Sequence, residues 1–291
     1  MNLAVKMGAR MVLIPNPREL DSLLEAIQNY QVTIFPGVPT IYAAINQYPP
    51  VIAGEYDLSS IKACISGSAT LPAKVKQGFE DLTKGHLVEG YGLSEAPTAT
   101  HCNPILGLNK AGSIGLPLPN VDCKVVDLKT GLSEVPVGDI GELIVRGPQV
   151  MASYHQNPLE TAIALRDGWL YTGDVVWMDD DGYFYLVDRK KDVIKVGGFQ
   201  VWPNEVEQVI LRHPKVKEVA VAGVMHETKG EVAKAWVVLK DNSHISAEDI
   251  QSFCKQYLVS YKIPKIIFFR GSLPRTRVGK ILRRVLIAED A

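Results

Sequence analysis

The first hundred residues alternate between two hydrophobic periods. Apolar positions three and four residues apart predict an amphipathic helix over residues 18–30, and the apolar run at residues 11–15 is typical of a strand that follows a short core helix. The same alternation continues with strands at 32–37, 61–68 and 86–92 and helices at 39–48 and 72–85. Strands that alternate with helices of this length indicate a parallel, doubly wound sheet, in which ligands bind beyond the carboxyl ends of the strands.

The pattern changes twice further along the chain. From about Gly112 short strands and turns predominate, with one helix at residues 158–165, which predicts a small β-barrel-like subdomain. After Asp188 an α+β pattern follows, with helices near 202–214, 247–258 and 279–290 and strands near 216–224, 234–240 and 265–269. The predicted fold class is therefore α/β plus α+β: a partial doubly wound sheet with a β-barrel-like subdomain, followed by a small mobile α+β domain.

The domain boundaries follow from these changes of pattern. We expect residues 1–187 to form part of a large domain, with the sheet in 1–111 and the barrel-like part in 112–187. Residues 188–291 are expected to form the small domain. The charged run at residues 188–192 lies between two apolar strands and is the predicted hinge.

Composition excludes several classes of protein. The chain is 46% hydrophobic and 22% charged, which is ordinary for a soluble globular protein. No apolar run approaches the roughly 18 residues that a membrane span requires. The four cysteines form no CxxC pair, which favours reduced thiols in a cytoplasmic compartment, and no ligand cluster accompanies His101 and Cys102.

The formal net charge of −1 conceals an uneven distribution. Residues 188–291 carry 19 Lys and Arg against 12 Asp and Glu, whereas residues 1–187 carry 12 against 20. A basic module of this kind can bind a polyanion, although a solvated basic surface explains the charge equally well.

Four short motifs have residue types suited to phosphate and nucleotide chemistry. Residues 91–95, Tyr-Gly-Leu-Ser-Glu, combine glycine, a hydroxyl and a carboxylate that could ligate Mg²⁺. Residues 171–174, Tyr-Thr-Gly-Asp, read as a buried strand ending in a carboxylate that could accept hydrogen bonds from a ribose diol. Each motif taken alone is also typical of an ordinary turn.

The other two motifs are basic. The run at 188–192, followed by Val-Ile-Lys-Val-Gly-Gly at 193–198, could present Arg189 to a nucleotide or could be a solvated loop. Residues 274–280, Pro-Arg-Thr-Arg-Val-Gly-Lys, place Lys280 on a glycine-containing loop before the final helix. A lysine in such a loop is a mobile point charge for a phosphate and a carboxylate together, or part of a plain basic loop.

The four motifs in this order and spacing resemble the adenylate-forming superfamily of acyl-CoA synthetases, peptide-synthetase adenylation domains and beetle luciferases. The resemblance extends over nearly the whole chain and looks closest to bacterial long- and medium-chain fatty acyl-CoA ligases. It rests on the segments ISGSATLP, LVEGYGLSE, HCNP, GSIGLPLPN, GELIVRGPQVM, DGYFYLVDRKKDVIKVGG and the terminal lysine loop.

The resemblance implies an enzyme of lipid metabolism that converts fatty acid, ATP and CoA to acyl-CoA, AMP and pyrophosphate through an acyl-adenylate. It implies Lys280, Ser94 and Glu95 as catalytic residues, with Glu95 as the Mg²⁺ ligand. Lys191 matches the hinge position. The nucleotide-binding residues that it implies are Ser68, Ala69, Glu89, Gly90, Tyr91, Asp174 and Arg189, and those for thioester formation with CoA are Lys195, Gly197 and Gly198.

The match also departs from the family pattern. The glycine-, serine- and threonine-rich phosphate loop is absent, so we expect a fragment that lacks it, with little activity alone. A non-catalytic nucleotide-binding or interaction fragment, or an adenylating enzyme for amino or aryl acids, remains open. Nucleic acid is not an expected partner. A lipid substrate is compatible with peripheral contact at a membrane, and the oligomeric state is not readable.

Overall fold

A computed structural model describes residues 2–226, 230–276 and 279–289. The chain divides into two compact units by its internal contacts. The first unit consists of Met1–Asp122, Gly147–Ala152 and Asp181–Tyr185, and the second of Cys123–Arg146, Ser153–Asp180 and Leu186–Ala291. This division does not test the domain boundary that the sequence predicts at residues 188–192, which remains a prediction.

The first unit is a sheet with helices packed against it. Its helices are α1 (Asn2–Lys6), α2 (Leu20–Tyr30), α3 (Pro39–Gln47), α4 (Pro49–Ile52) and α5 (Ala73–Thr83). Its strands are β1 (Ala63–Ser66), β2 (His86–Leu93), β3 (Ala96–Cys102) and β4 (Leu116–Pro117), in the spatial order β1-β2-β3-β4. The pair β1–β2 is parallel, whereas β2–β3 and β3–β4 are antiparallel.

Helices α2, α3 and α5 bury their apolar faces in one core. Tyr42 and Phe79 lie at its centre, with ring centroids 4.8 Å apart, and each is at most 1% exposed. The predicted helix over residues 18–30 is present as α2, and it buries Leu23, Leu24 and Ile27.

Two predictions for the first segments are wrong. Residues 11–15 form no strand, because no described segment supplies the backbone partners that a strand requires. The helix at the start of the chain is not a core helix, since Val5 is 64% and Met7 72% exposed. Residues 32–37 contribute only isolated parallel bridges to β1, Ile34 with Ala63 and Gly37 with Ser66.

Most residues of two further sheets belong to the second unit. The strands β5 (Asp122–Val126), β6 (Gly141–Arg146), β7 (Leu165–Arg166), β8 (Trp169–Met178) and β9 (Phe184–Arg189) pair in the order β5-β6-β8-β7, with β9 beside β8. This curled sheet, with helix α6 (Pro158–Ala164), corresponds to the predicted barrel-like part. A short 3₁₀ turn, Lys190–Asp192, follows β9.

The second sheet consists of β10 (Ile194–Val196), β11 (Phe199–Val201), β12 (Val216–His226), β13 (Gly230–Leu239) and β14 (Ile266–Phe269), in the order β11-β10-β13-β12, with β14 parallel to β13. Helices α7 (Pro203–Leu211), α8 (Ala247–Cys254) and α9 (Arg283–Ala288) accompany it. Trp236 on β13 is fully buried in the cluster that also holds Leu286 of α9. These sheets and helices confirm the predicted fold class.

In the part of the chain that the structure describes, no helix is long and apolar enough to cross a membrane.

Candidate active site

The turn after β1 lies beside the middle of β2 in the first unit. Ser66, the last residue of β1, is opposite Glu89 in the parallel register, so the turn that follows β1 lies next to Gly90. In that turn Ser68 and Ala69 are both exposed, and Ser68 has a left-handed φ of 73°. A Cβ at Gly67 would lie 3.7 Å from the Gly90 carbonyl oxygen, which shows how near the two segments are. The structure therefore brings together residues that the sequence separates by about 20 positions.

Glu89 on β2 is hydrogen-bonded to the segment that follows this turn. Its side chain is buried, and its Oε2 accepts a hydrogen bond of 3.3 Å from the Leu71 amide, two residues after Ala69. Burial raises the pKa of Glu89 from 4.5 to about 7, and the hydrogen bond from Leu71 offsets part of that increase. The predicted contact of Glu89 with adenine remains a prediction, and the described contact is with the protein itself.

Tyr91 and Gly92 have structural roles that the motif alone does not reveal. The Tyr91 ring is 9% exposed and meets the ring of buried His101 edge-on, with centroids 5.8 Å apart. A Cβ at Gly92 would lie 2.3 Å from the Thr98 carbonyl oxygen on β3, so only glycine permits this approach of the two strands. Close packing within the protein thus explains Gly92.

Ser94 and Glu95 form the turn between β2 and β3. Leu93 pairs with Ala96, so the two residues protrude at the tip of the hairpin. Ser94 is exposed and Glu95 is half-buried, with the Glu95 carbonyl oxygen accepting a hydrogen bond of 2.7 Å from the Met151 amide. A hydroxyl and a hard carboxylate oxygen are donors that Mg²⁺ accepts, since Mg²⁺ usually takes one or two carboxylates and completes its shell with phosphate and water. The residues present therefore fit that ion.

Asp174 is the central acidic residue of the second unit. It is 1% exposed, and its Oδ1 lies 2.6 Å from Nε of Arg189. The interpretation of residues 171–174 as a strand that ends in a carboxylate is wrong, because β8 continues to Met178. The pairing with β6 shifts register at this point, and Gly173 has a left-handed φ of 69°. Asp174 and Arg189, two residues that the sequence predicts to bind the nucleotide, therefore lie in contact.

Sequence reasoning missed a second carboxylate beside this pair. Glu142 on β6 is buried, and its Oε1 accepts a 3.1 Å hydrogen bond from the Gly173 amide. Its Oε2 lies 2.6 Å from Nζ of Lys190. Its partners are 31 and 48 residues away, so no local spacing pointed to them.

The hinge run is anchored at most of its positions. Asp188 accepts hydrogen bonds from the backbone amides of Asn204, at 2.8 Å, and Arg189, at 2.7 Å. Asp192 lies 3.8 Å from the guanidinium of Arg283. Lys191, the predicted hinge residue, is exposed within the 3₁₀ turn.

The segment predicted for thioester formation is a tight hairpin. Lys195 is exposed on β10, and its amide donates to Oε2 of Glu231 at 2.7 Å. Gly197 and Gly198 form the turn to β11 with left-handed φ values of 55° and 87°. Both glycines are exposed, so their backbone faces solvent.

Lys280 lies in a loop that is closed by backbone hydrogen bonds. Its amide donates to the Thr276 hydroxyl at 3.1 Å, and the Thr276 amide donates to its carbonyl oxygen at 2.8 Å. The Arg275 guanidinium donates to the Gly279 carbonyl oxygen at 2.6 Å. These bonds hold the backbone of Thr276, Gly279 and Lys280, whereas the Lys280 side chain is exposed.

His101, considered together with Cys102 for a metal site from sequence, is fully buried, and burial lowers its pKa to about 3. Its Nδ1 lies 2.9 Å from the Thr100 hydroxyl. Within residues 2–226, 230–276 and 279–289 no three His, Cys, Asp or Glu side chains are arranged to hold a metal ion.

Family models match most of the chain. Residues 1–155 match the model described as "AMP-binding enzyme", and residues 205–280 match "AMP-binding enzyme C-terminal domain". The second match includes Lys280 as its last residue.

Individual relatives and solved structures agree with these matches. The chain is 49% identical over 290 residues to a long-chain-fatty-acid–CoA ligase of Bacillus subtilis (strain 168), covering 100% of the chain and 51% of that protein. It is 38% identical over 293 residues to 4-coumarate–CoA ligase 2 of Nicotiana tabacum, covering 99% and 53%. The crystal structure of ATP-bound MatB from Rhodopseudomonas palustris superposes with a TM-score of 0.89 at 33% identity, covering 99% of the chain and 56% of that structure.

The chain spans about half the length of the curated relatives it matches. The first family model covers more than half of the chain, and the similarity to the Bacillus subtilis ligase covers all of it. This chain therefore belongs to the AMP-binding enzyme family.

Proposed function

We propose that this chain carries part of the catalytic machinery of an ATP-dependent fatty acyl-CoA ligase. In the first half-reaction the acid carboxylate attacks the α-phosphate of ATP, which forms the acyl-adenylate and releases pyrophosphate. In the second the CoA thiol attacks the acyl carbon, which forms the thioester and releases AMP. The observation that carries this proposal is the 49% identity to a long-chain-fatty-acid–CoA ligase over 290 residues.

We expect two groups of residues, each described above within its own unit, to contact the nucleotide. Ser68, Ala69, Gly90 and Tyr91 would receive adenine, because the exposed turn after β1 follows the carboxyl end of a strand that is parallel to β2, where ligands of such sheets bind. Asp174 would accept the ribose hydroxyls, and Arg189 holds that carboxylate by an ion pair at 2.6 Å. Arg189 is 41% exposed and so remains available to a phosphate edge.

Lys280 would act in the first step. A carboxylate and an α-phosphate repel each other as they approach, and the repulsion grows as the new bond forms. An ammonium group at their junction offsets that repulsion in the transition state. The exposed side chain on a hydrogen-bonded loop suits this role, because the backbone is held while the ammonium reaches outward.

The hinge would separate the two steps. Rotation about the exposed Lys191 would replace the Lys280 loop by the Lys195–Gly198 hairpin for the attack by CoA. Ser94 and Glu95 would meet the phosphates, and Mg²⁺ held by Glu95 would neutralise phosphate charge when bound.

Lys280→Gln tests the proposal on the full chain. We expect the variant to lose pyrophosphate release from ATP and hexadecanoate by at least about 100-fold, since removing one transition-state charge contact typically costs this much. AMP affinity by calorimetry should stay within about threefold, because Lys280 acts on the reacting groups. Lys217→Gln, a change of equally exposed lysine on β12, is the control. Equal pyrophosphate release by the two variants would contradict the role of Lys280.

Two alternatives give different results in the same experiment. AMP binding by the unsubstituted chain without pyrophosphate release would favour a non-catalytic nucleotide-binding function. Release that depends on 4-coumarate and not on hexadecanoate would favour an aryl acid substrate, which the 38% identity to the tobacco ligase keeps open. An amino acid substrate, contact with a membrane surface and the cytoplasmic location remain predictions.

A further inference from the structure

Glu142 has a buried carboxylate whose two oxygens accept hydrogen bonds from two different segments of the chain. Its side chain is 5% exposed, Oε1 accepts from the Gly173 amide at 3.1 Å, and Oε2 accepts from the Lys190 ammonium at 2.6 Å. Gly173 immediately precedes Asp174, and Lys190 immediately follows Arg189. A single carboxylate therefore contacts the neighbour of each member of the Asp174–Arg189 pair.

We propose that Glu142 is a positioning residue that holds Asp174 in place for the ribose of the nucleotide and holds the hinge through Lys190. This inference rests on the proposed function, which assigns the ribose to Asp174.

The strand pairing explains why a side chain is needed here. Glu142 pairs with Val175 and Ile144 with Tyr171, so a single residue of β6 lies opposite residues 172–174 of β8. Two extra residues bulge from the ladder at this point, and a bulge leaves backbone groups without strand partners. Side chains replace those partners: Glu142 accepts from the Gly173 amide, and the Thr172 hydroxyl donates to the Leu143 carbonyl oxygen at 2.7 Å.

The conformation of the bulge determines where the Asp174 carboxylate lies. Gly173 has a left-handed φ of 69°, so the chain turns sharply just before Asp174. The Asp174 amide donates to the Thr172 hydroxyl at 3.1 Å. Without the Glu142 acceptor the half-buried Gly173 amide would lose its partner, and the bulge would relax to satisfy it elsewhere. Asp174 would then move away from the position that Arg189 now stabilises.

The second oxygen acts on the hinge. Arg189 and Lys190 are consecutive cations, and each has its own buried carboxylate, Asp174 on β8 and Glu142 on β6. Lys190 begins the 3₁₀ turn that contains the exposed hinge residue Lys191. The Glu142–Lys190 pair therefore holds the start of this turn against the curled sheet.

The experiment measures how strongly the full chain distinguishes AMP from 2′,3′-dideoxy-AMP, which lacks the ribose diol. Two hydrogen bonds to a carboxylate should give the unsubstituted chain a preference for AMP of at least about 10-fold. Glu142→Ala removes both contacts, and we expect the preference to fall to within about threefold. If Glu142 had a merely structural role, its loss would weaken the binding of both nucleotides by the same factor and leave the ratio of their affinities unchanged.

Two further variants separate the contacts. Glu142→Gln keeps an acceptor oxygen for the Gly173 amide, so the preference for AMP should persist, whereas the pairing with Lys190 is lost. Lys190→Met should likewise keep the preference. Both variants should be cut faster by trypsin after Lys191, because the start of the 3₁₀ turn is released. Glu134→Gln, which breaks the exposed pair of Glu134 with Lys124 on β5, is the matched control and should change neither measurement.

The experiment distinguishes a failure of the Glu142 inference from a failure of the proposed function. If the unsubstituted chain does not bind AMP, the proposed function fails, and the positioning role is then judged by hydrogen exchange of the Gly173 amide. That exchange should be faster in Glu142→Ala than in Glu142→Gln, and equal rates would overturn the inference. If AMP binds and Glu142→Ala keeps the full preference for the diol, only the inference is overturned. Should Glu142→Ala not fold, Glu142→Asp, which withdraws the carboxylate by one methylene, replaces it.

Discussion

Individual buried acidic residues in this chain are stabilised in different ways. Burial raises the pKa of Glu89 and of Glu207. The carboxylate of Glu207 is bridged by the Arg283 guanidinium at 2.8 Å, whereas Glu89 accepts a hydrogen bond from the neutral Leu71 amide. Burial disfavours the ionised form of a carboxylate, and a neighbouring cation offsets this effect more strongly than a neutral amide does. Glu89 is therefore the residue whose protonation should change with pH near neutrality.

This difference predicts a pH-dependent stability. The pKa of Glu89 is about 7 in the folded protein against a reference value of 4.5, so the folded state holds this proton more tightly than the unfolded state. The contribution of Glu89 to the free energy of unfolding is therefore fully present below pH 4.5 and is lost as pH rises through 7. Glu89→Gln, which cannot ionise, should be more stable than the original chain at pH 8 by about 3 kcal/mol.

Urea unfolding at pH 4 and pH 8 measures this effect. The advantage of Glu89→Gln should be near zero at pH 4, where the carboxyl is protonated in both states. Glu134→Gln, an exposed carboxylate substitution, should show no such difference between the two pH values. An advantage of the same size at both pH values would contradict the raised pKa.

Individual elements owe their ends to local side chains. Helix α8 begins with a capping box, in which the Ser246 hydroxyl accepts from the Asp249 amide at 3.1 Å and the Asp249 carboxylate accepts from the Ser246 amide at 3.0 Å. Both bonds satisfy backbone donors that a helix start leaves without partners. The hydrogen bond from the Ser246 amide to the Asp249 carboxylate is also the largest cause of the lowered pKa of Asp249.

Removing the cap should destabilise the second unit. Ser246→Ala is expected to lower the free energy of unfolding by about 1 kcal/mol. Ser252 is exposed within the same helix, so Ser252→Ala should be neutral or slightly stabilising because alanine favours helix interiors. Chemical unfolding followed by circular dichroism compares the two. An equal loss in both variants would show that the cap is not responsible.

On the scale of the whole molecule, one buried ion pair connects segments far apart in the second unit. Arg283 at the start of α9 donates to both oxygens of Glu207 on α7, at 2.8 Å each, and Glu207 also accepts from the Val221 amide at 2.7 Å. The same arginine lies 3.8 Å from Asp192 in the 3₁₀ turn after β9. Helix α9, which follows the Lys280 loop, is thereby tied to α7 and to this turn.

Breaking this pair should have a large effect. Arg283→Met would leave Glu207 buried without its cation, which typically costs about 3–5 kcal/mol. Arg284→Met, at the next and exposed position, should change the stability by less than about 0.5 kcal/mol. Hydrogen exchange should increase in residues 203–211 and stay unchanged in α2 of the first unit. An equal loss of stability in the two variants would show that the Arg283–Glu207 ion pair is not responsible.

Hydrophobic periodicity determined much of the fold by itself. The predicted helices at residues 18–30, 39–48 and 72–85 are present as α2, α3 and α5, since their apolar faces could be buried only in that conformation. The order of the four motifs also sufficed to identify the family, because the residue types near each motif serve one chemistry.

Only the tertiary structure decided the strand pairings and ion pairs, because these features depend on residues far apart in sequence. Residues 11–15 have the composition of a strand but no strand partner among the described residues. Strand β8 continues past Asp174 because β6 pairs with it on both sides of a bulge. The pairs of Glu142 with Lys190 and of Glu207 with Arg283 join residues 48 and 76 positions apart. Periodicity reports which face of a segment is buried, whereas the partner of a buried charge is set by the folding of the whole chain.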